Sequence, residues 1–219
     1  MWAVKRTMWS GTGVDGLLDR ALTLLDRPGR AVLGIAGAPA SGKSTLAALL
    51  LAELDRQRPG EAVGVGMDAF HIGHRVLVRR GQTGIKGAPE TFDAVGYLHL
   101  LHRIRTETGT VYAPEFERAI EDSLAHVVEI GPEVGLVVSE GNYLLLAEPP
   151  WDRVRGLLDE AWFVHLEDTE RQRRMVVRHL RHGHDQADAE ARTYGNDERN
   201  ARLVNAAPNR PDLWIEQRP

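Results

Sequence analysis

At 219 residues, 42% of them apolar and none a cysteine, the chain can bury one substantial core with an inserted lid, and it cannot hold disulfides, zinc-thiolate sites or a cysteine nucleophile. A formal charge of −4 with scattered basic residues leaves no footprint for a nucleic-acid backbone or an anionic membrane, and no apolar run approaches the roughly 18 residues that a membrane-spanning helix needs. The opening Met1-Trp2-Ala3-Val4-Lys5-Arg6 has no apolar segment behind its two charges, so no secretory signal is expected and a cytoplasmic protein fits best.

Apolar positions at helical spacing predict a packing helix over 14–26, stopped by Arg27-Pro28-Gly29. A buried strand over 31–36 follows. Behind it, Gly37-Ala38-Pro39-Ala40-Ser41-Gly42-Lys43-Ser44-Thr45 fits G-x-x-x-x-G-K-[ST] at every fixed position, and a strong helix former comes next. Glycines at 37 and 42 allow a turn tight enough for successive N–H groups to converge on one anion, to which the helix N-terminus adds partial positive charge. Lys43 then reaches the β- and γ-phosphates of a nucleotide, and the Ser44 hydroxyl reaches Mg²⁺. The helix runs to about Arg58, before Pro59-Gly60. A second buried strand over 62–67 ends at Asp68, where open α/β sheets bind ligands. Of 27 basic residues only Lys5, Lys43 and Lys86 are lysines, and Lys86 lies in a glycine-rich, aperiodic stretch over 71–90 of the kind that is usually functional or mobile.

Phe92-Asp93 opens a helix reaching about Thr108, with Tyr97, Leu100, Leu101 and Ile104 turned inward and Val95 and Leu98 in the core stripe. Residues 109–118 look extended, and 126–130 alternate like a strand wetted on one face. An apolar strand from 135 ends in Glu140, placed to share a metal shell with Ser44. A short helix over 151–158 and a buried strand over 161–166 come next. The following helix, capped by Thr169 or Asp168, bears Arg171, Arg173, Arg174, Arg178 and Arg181, of which Arg174, Arg178 and Arg181 share one face. A polar segment over 182–199 and a last strand over 213–215 complete the chain. His71 and His74 could touch an acceptor, although loop histidines are more often bystanders, and His182-Gly183-His184 lacks a third metal ligand.

The expected fold class is α/β: a doubly wound, mostly parallel sheet with helices on both faces, the P-loop NTPase fold, with a small helical lid. It forms a single domain over 1–219, with an acceptor-binding region at about 69–118 and a lid at about 168–195. Lys43, Ser44, Asp68 and Glu140 converge at one sheet edge, as transfer of a γ-phosphoryl group requires. Asp68 is the candidate base, the alternatives being a turn residue or a second Mg²⁺ ligand. Glu140 is a metal-shell ligand or a solvated or capping carboxylate, and the arginine face is a lid over the phosphates or a solvated surface.

The loop over 37–45, Asp68-Ala69-Phe70-His71, Lys86-Gly87-Ala88-Pro89-Glu90-Thr91-Phe92-Asp93, Tyr112-Ala113-Pro114-Glu115-Phe116-Glu117-Arg118 and Glu140-Gly141-Asn142-Tyr143 together resemble the phosphoribulokinase, uridine kinase and bacterial pantothenate kinase family, in order, from about residue 30 to about residue 215. The resemblance implies ATP- and Mg²⁺-dependent phosphorylation of a hydroxyl on a nucleoside, a pantothenate-like compound or a sugar. It implies Asp68, Lys43 and Arg174 in catalysis, Ser44 and Glu140 at Mg²⁺, the phosphate loop with Arg174 and Arg178 on ATP, and lid arginines among Arg171 to Arg178. Acceptor contacts are implied for Asp68, His71, Lys86, Asp93, Tyr112, Arg118 and Asn142, with Asp93 where uridine kinases hold a sugar hydroxyl. The Lys-Gly-x-Pro-Glu-x-x-Asp pattern is nearer the pantothenate kinases, but Ala69 replaces a frequent glycine and their long accessory region is missing. A homodimer is compatible with the chain. The contrasting function is a nucleotide-dependent ATPase or switch acting on a protein partner; its GTPase form is disfavoured, because no lysine follows an asparagine.

Overall fold

The structure is a computed structural model that describes residues 4–14, 16–206 and 208–218. Asp15, expected in the first helix, and Met1, Trp2 and Ala3 of the opening segment lie outside the described residues. The chain begins β1 (Lys5–Trp9), α1 (Leu17–Leu25), β2 (Ala31–Gly37), α2 (Lys43–Gln57), β3 (Ala62–Gly66), α3 (His74–Arg80) and α4 (Ala94–Thr106). It continues β4 (Val111–Glu117), β5 (Asp122–Ile130), β6 (Leu136–Gly141), β7 (Glu160–His165), α5 (Asp168–Arg181), α6 (Gln186–Arg192), α7 (Glu198–Ala206) and β8 (Leu213–Gln217).

All seven residues of β2 are buried because side chains of one strand alternate between two covered faces. Val32 and Ala36 enter a core with Tyr97, Leu98 and Leu101 of α4, while Leu33 and Ile35 enter a second core with α1 and α2. Val32, Leu33 and Ile35 each contribute about 1.5–3 kcal/mol by leaving water, and the single methyl of Ala36 contributes less. The sheet order is β1-β8-β7-β2-β6-β3, with every pairing parallel. β4 and β5 form a separate antiparallel hairpin. The doubly wound α/β sheet expected from the sequence is therefore present, and β2 lies at its switch point, between β6 and β7.

Several local expectations are corrected. Val95 is 47% exposed, because the buried stripe of α4 runs through Ala94, Tyr97, Leu98, Leu101 and Ile104, and Val95 projects from the opposite side of that helix. The aperiodic stretch over 71–90 holds α3 and two single helical turns, Thr83–Ile85 and Pro89–Thr91, too short for a period to show. The polar segment over 182–199 contains α6 and the start of α7, joined by a π turn at Thr193–Asp197. β1 is an edge strand held by parallel pairing to β8, a partner distant in the chain that no local pattern announces.

The cap of α5 is Glu167, which accepts hydrogen bonds from the N–H groups of Thr169 and Glu170, instead of Thr169 or Asp168. Arg171 is not a lid residue. It is 1% exposed and pairs with Asp168 at 2.9 Å and with Glu198 of α7, so it ties the two helices together. Burial works to raise the Glu198 carboxyl, but hydrogen bonds from Gln172, Arg171 and Arg202 outweigh it and hold the group at about 2. A folded-state value below the ordinary 4.5 gives stability that is present above that pH and is lost as pH falls toward about 2. Glu198→Gln should therefore cost about 3 kcal/mol at neutral pH, by leaving Arg171 short of its counter-charge, and should flatten the acid limb. Urea melts at stepped pH check both effects; an acid limb as steep as in the parent chain would remove Glu198 as its source.

Candidate active site

The phosphate loop leaves β2 at the centre of the sheet and turns through two left-handed residues, Ala40 (φ 63°) and Gly42 (φ 94°), before Lys43 opens α2. The turn at Ala40 is a strained conformation for a residue with a side chain. A Cβ at Gly37 would sit 2.5 Å from the carbonyl oxygen of Val164, so this position needs glycine for close approach of the backbone to β7.

Glu140 reaches the same place from β6. Its register opposite Ile35 of β2 and Gly66 of β3 sets it beside the loop, and the Ser44 hydroxyl donates to its carboxylate at 3.1 Å. Next to it, the Tyr97 and Ser139 hydroxyls share a hydrogen bond of 2.7 Å and Ser139 donates to the Val65 carbonyl, clamping β6 to β3. Asp68 follows β3 in the helical turn Met67–Phe70. The Arg118 guanidinium, from the end of the β4–β5 hairpin, stands 3.6 Å from the Asp68 carboxylate.

These charges are close enough to act on one another. Burial pushes the Lys43 ammonium below its ordinary value, while the carboxylates of Glu140 and Asp68 hold it up. Burial likewise pushes the Glu140 carboxyl up, against Lys43, which holds it down. Burial pushes the His71 imidazole below its ordinary value, against the Asp68 carboxylate, which holds it up. Its ring packs on Phe92 and Phe116, with centroids at 4.0 and 5.2 Å, and its Nδ1 bonds the Asp68 carbonyl at 2.7 Å.

A small cleft of about 150 Å³ brings Lys43, Ser44, Asp68, Arg118, Asn142 and Arg178 together. The Asn142 Oδ1 is buried there without a hydrogen-bond partner, an acceptor that a ligand's hydroxyl could satisfy. A second cleft, of about 530 Å³, lies over the loop and is overlooked by Arg173, Arg174, Arg178 and Arg181 of α5. Glu170 orients Arg173 and Arg174 through contacts of 2.6 and 2.7 Å.

Three of the expected acceptor contacts, Lys86, Asp93 and Tyr112, are not brought to these two clefts. Asp93 is exposed and caps α4 by accepting from the Gly96 N–H, so its neighbour Phe92 lines the small cleft in its place. Tyr112 is 47% exposed on β4, opposite Glu129, and lines none of the clefts around Lys43. Lys86 donates to the Glu121 carbonyl at 2.8 Å, at the tip of the hairpin. Glu121, His179 and Arg192 flank the same region and had no signal in the sequence: Glu121 and Arg192 lie in stretches read without periodicity, and His179 stands on α5 off the face that Arg174, Arg178 and Arg181 share. Among the described residues no group of three or more His, Asp or Glu side chains could by itself hold a metal.

A phosphate loop at the centre of a parallel sheet, roofed by a cationic helix and flanked by carboxylates at two strand ends, defines a P-loop kinase. No protein-family model matches the chain. It is 34% identical over 211 residues to a candidate uridine kinase of Schizosaccharomyces pombe, covering 93% of this chain and 90% of that one. The crystal structure of a candidate fructose transport system kinase from Silicibacter sp. TM1040 has a TM-score of 0.83 to it at 39% identity, covering 93% and 98% of the two chains. A pantothenate kinase of Lacticaseibacillus casei is 32% identical over 115 residues, 52% of this chain and 37% of that enzyme. The chain belongs to the phosphoribulokinase, uridine kinase and pantothenate kinase family of P-loop kinases, and it is a small-molecule kinase.

Proposed function

We propose that the chain transfers the γ-phosphoryl group of ATP to a hydroxyl of a small molecule, with Asp68 as general base. The observation that carries this is the shared cleft of Lys43 and Asp68, with the Ser44–Glu140 pair beside them. In this reaction the backbone N–H groups of the loop and the Lys43 ammonium hold the β- and γ-phosphates. The acceptor oxygen bonds to the γ-phosphorus as its proton passes to the Asp68 carboxylate, and ADP departs with the electrons of the broken P–O bond. Arg174 and Arg178 reach over the phosphates from α5, and Arg118 lines both clefts, linking acceptor to nucleotide.

The donors suit Mg²⁺. A hydroxyl and a carboxylate already in contact are hard oxygen ligands, and sites of this kind complete the shell with substrate phosphates and water. Bound between Ser44 and Glu140, Mg²⁺ would supply charge neutralisation at the β- and γ-oxygens.

An acceptor panel tests the proposal: nucleosides, pantothenate and sugars, each with ATP, scored by ADP release and by mass of the phosphorylated product. Slow background hydrolysis should rise about tenfold or more with one hydroxyl compound, which should gain phosphate in step with ADP. ATP consumption that no acceptor stimulates would replace transfer by an ATPase acting on a protein partner.

A further inference from the structure

Beside Asp68 lies a cleft of about 490 Å³ that contains no residue of the phosphate loop. Lys86, Arg118, Arg178 and Arg192 line it against two carboxylates, Asp68 and Glu121, and four histidines make up most of the remaining polar wall. One of the carboxylates is the proposed base. The other, Glu121, is 59% exposed at the hairpin tip, has φ 52°, and stands 3.4 Å from the Lys86 ammonium. Its carboxylate is the nearest anion to Lys86 and can be displaced without unburying anything.

The wall offers a nucleobase little. Its single phenylalanine, Phe116, is already packed by the His71 ring at 5.2 Å and by the Lys86 ammonium at 5.4 Å. A neutral polyol would leave Lys86 with Glu121 and Arg192 with its helical neighbour Asp188 at 3.0 Å, two solvent-exposed pairs worth little, whereas an anionic one can bridge both cations. The spacing also limits length. His71 and Lys86 pack on the same Phe116 ring, and Arg118, whose guanidinium stands 3.6 Å from the Asp68 carboxylate, lines the same cleft as Lys86, so the proton-accepting end and the cationic end belong to one cleft.

We infer that the acceptor is anionic: a short polyol whose phosphate or carboxylate is held by Lys86 and Arg192 in place of the Glu121 carboxylate, with its hydroxyl presented to Asp68. This rests on the transferase function proposed for the same site. The Lys86 position is prepared from both sides, since the Asn196 side chain donates to its carbonyl at 3.2 Å and the Glu121 carbonyl accepts from its ammonium at 2.8 Å.

Calorimetric titration of the full chain with matched neutral and anionic compounds tests it, the pairs being glycerol and glycerate, fructose and fructose 6-phosphate, and uridine and its monophosphate. Product formation is followed in parallel. The anionic member of at least one pair should bind about tenfold tighter than its neutral counterpart, and the carboxylate and phosphate pairs separate the two sources of charge. Lys86→Ala should abolish that preference and raise KM while kcat stays within about threefold, Lys86→Arg should restore it, and Glu121→Gln should tighten the anion further. Equal binding of neutral and anionic members, or a preference that survives in Lys86→Ala, overturns the inference. Anion preference without phosphorylation of any compound leaves an anion site at Lys86 and sinks the transferase, and with it the anion's role as acceptor; a phosphorylated neutral compound with no anion preference upholds the transferase and overturns the inference.

Discussion

Replacing Lys43 by alanine should lower kcat/KM for ATP by about 10²- to 10³-fold, the loss expected when one preorganised donor to developing charge is removed from a water-poor site. Lys43 is 8% exposed, so its ammonium acts in a medium where a charge interaction is worth far more than in water. The substitution also leaves Glu140 and Asp68 facing one another without the cation between them, which pushes the already raised Glu140 carboxyl up further. Binding of a non-hydrolysable ATP analogue should weaken with it, while circular dichroism stays unchanged because α2 retains a good helix former at its first position. Lys43→Arg should not restore activity, since a planar guanidinium cannot occupy so enclosed a place. Parent-like turnover in Lys43→Ala would refute the assignment of the phosphate loop.

Asp68→Asn separates the base from the nucleotide site. The amide keeps the shape of the side chain but cannot take a proton from the acceptor hydroxyl, so transfer should fall by roughly 10²-fold or more. Nucleotide affinity should hold within about threefold, because the loop, Lys43 and the Ser44–Glu140 pair are untouched. Single-turnover transfer and equilibrium nucleotide binding, measured on the same preparation, give both quantities. A collapse of nucleotide affinity would make Asp68 a residue of the metal shell. The Arg118 contact at 3.6 Å gives a second check: Arg118→Ala should reduce transfer with Asp68 intact, whereas in the Asp68→Asn background it should have little further effect.

The parts of the site that could be read in the chain are those whose chemistry is local. The loop over 37–45 announces itself because a glycine turn, a helix start and a lysine must follow one another without gaps to surround a phosphate. Asp68 and Glu140 were legible as the first charges after apolar runs, although the half-buried edge strand β3 ends at Gly66, two residues before Asp68, and β6 runs on through Glu140 to Gly141. Arg174, Arg178 and Arg181 share a helix face by spacing alone, whereas Arg171, drawn from the same run, turns to a buried partner 27 residues away. Helical period could not separate these fates, because they depend on what packs against each side of α5.

Local patterns along the chain carry the order of the candidate site: a phosphate loop, two carboxylates that follow apolar strands and a cationic helix on an alternating α/β chain. Tertiary structure alone decided which side chains meet. The antiparallel hairpin carries Arg118 to Asp68, Glu121 to Lys86 and Phe116 beneath both His71 and Lys86, while Asp93 is drawn off to cap α4 and Tyr112 is left on the outer surface. The physical reason is range. Propensity, capping and strand period act over a few residues, whereas the charge of the cleft beside Asp68 is set by contacts between elements up to about a hundred residues apart, which form only once the sheet and its two cores have been buried.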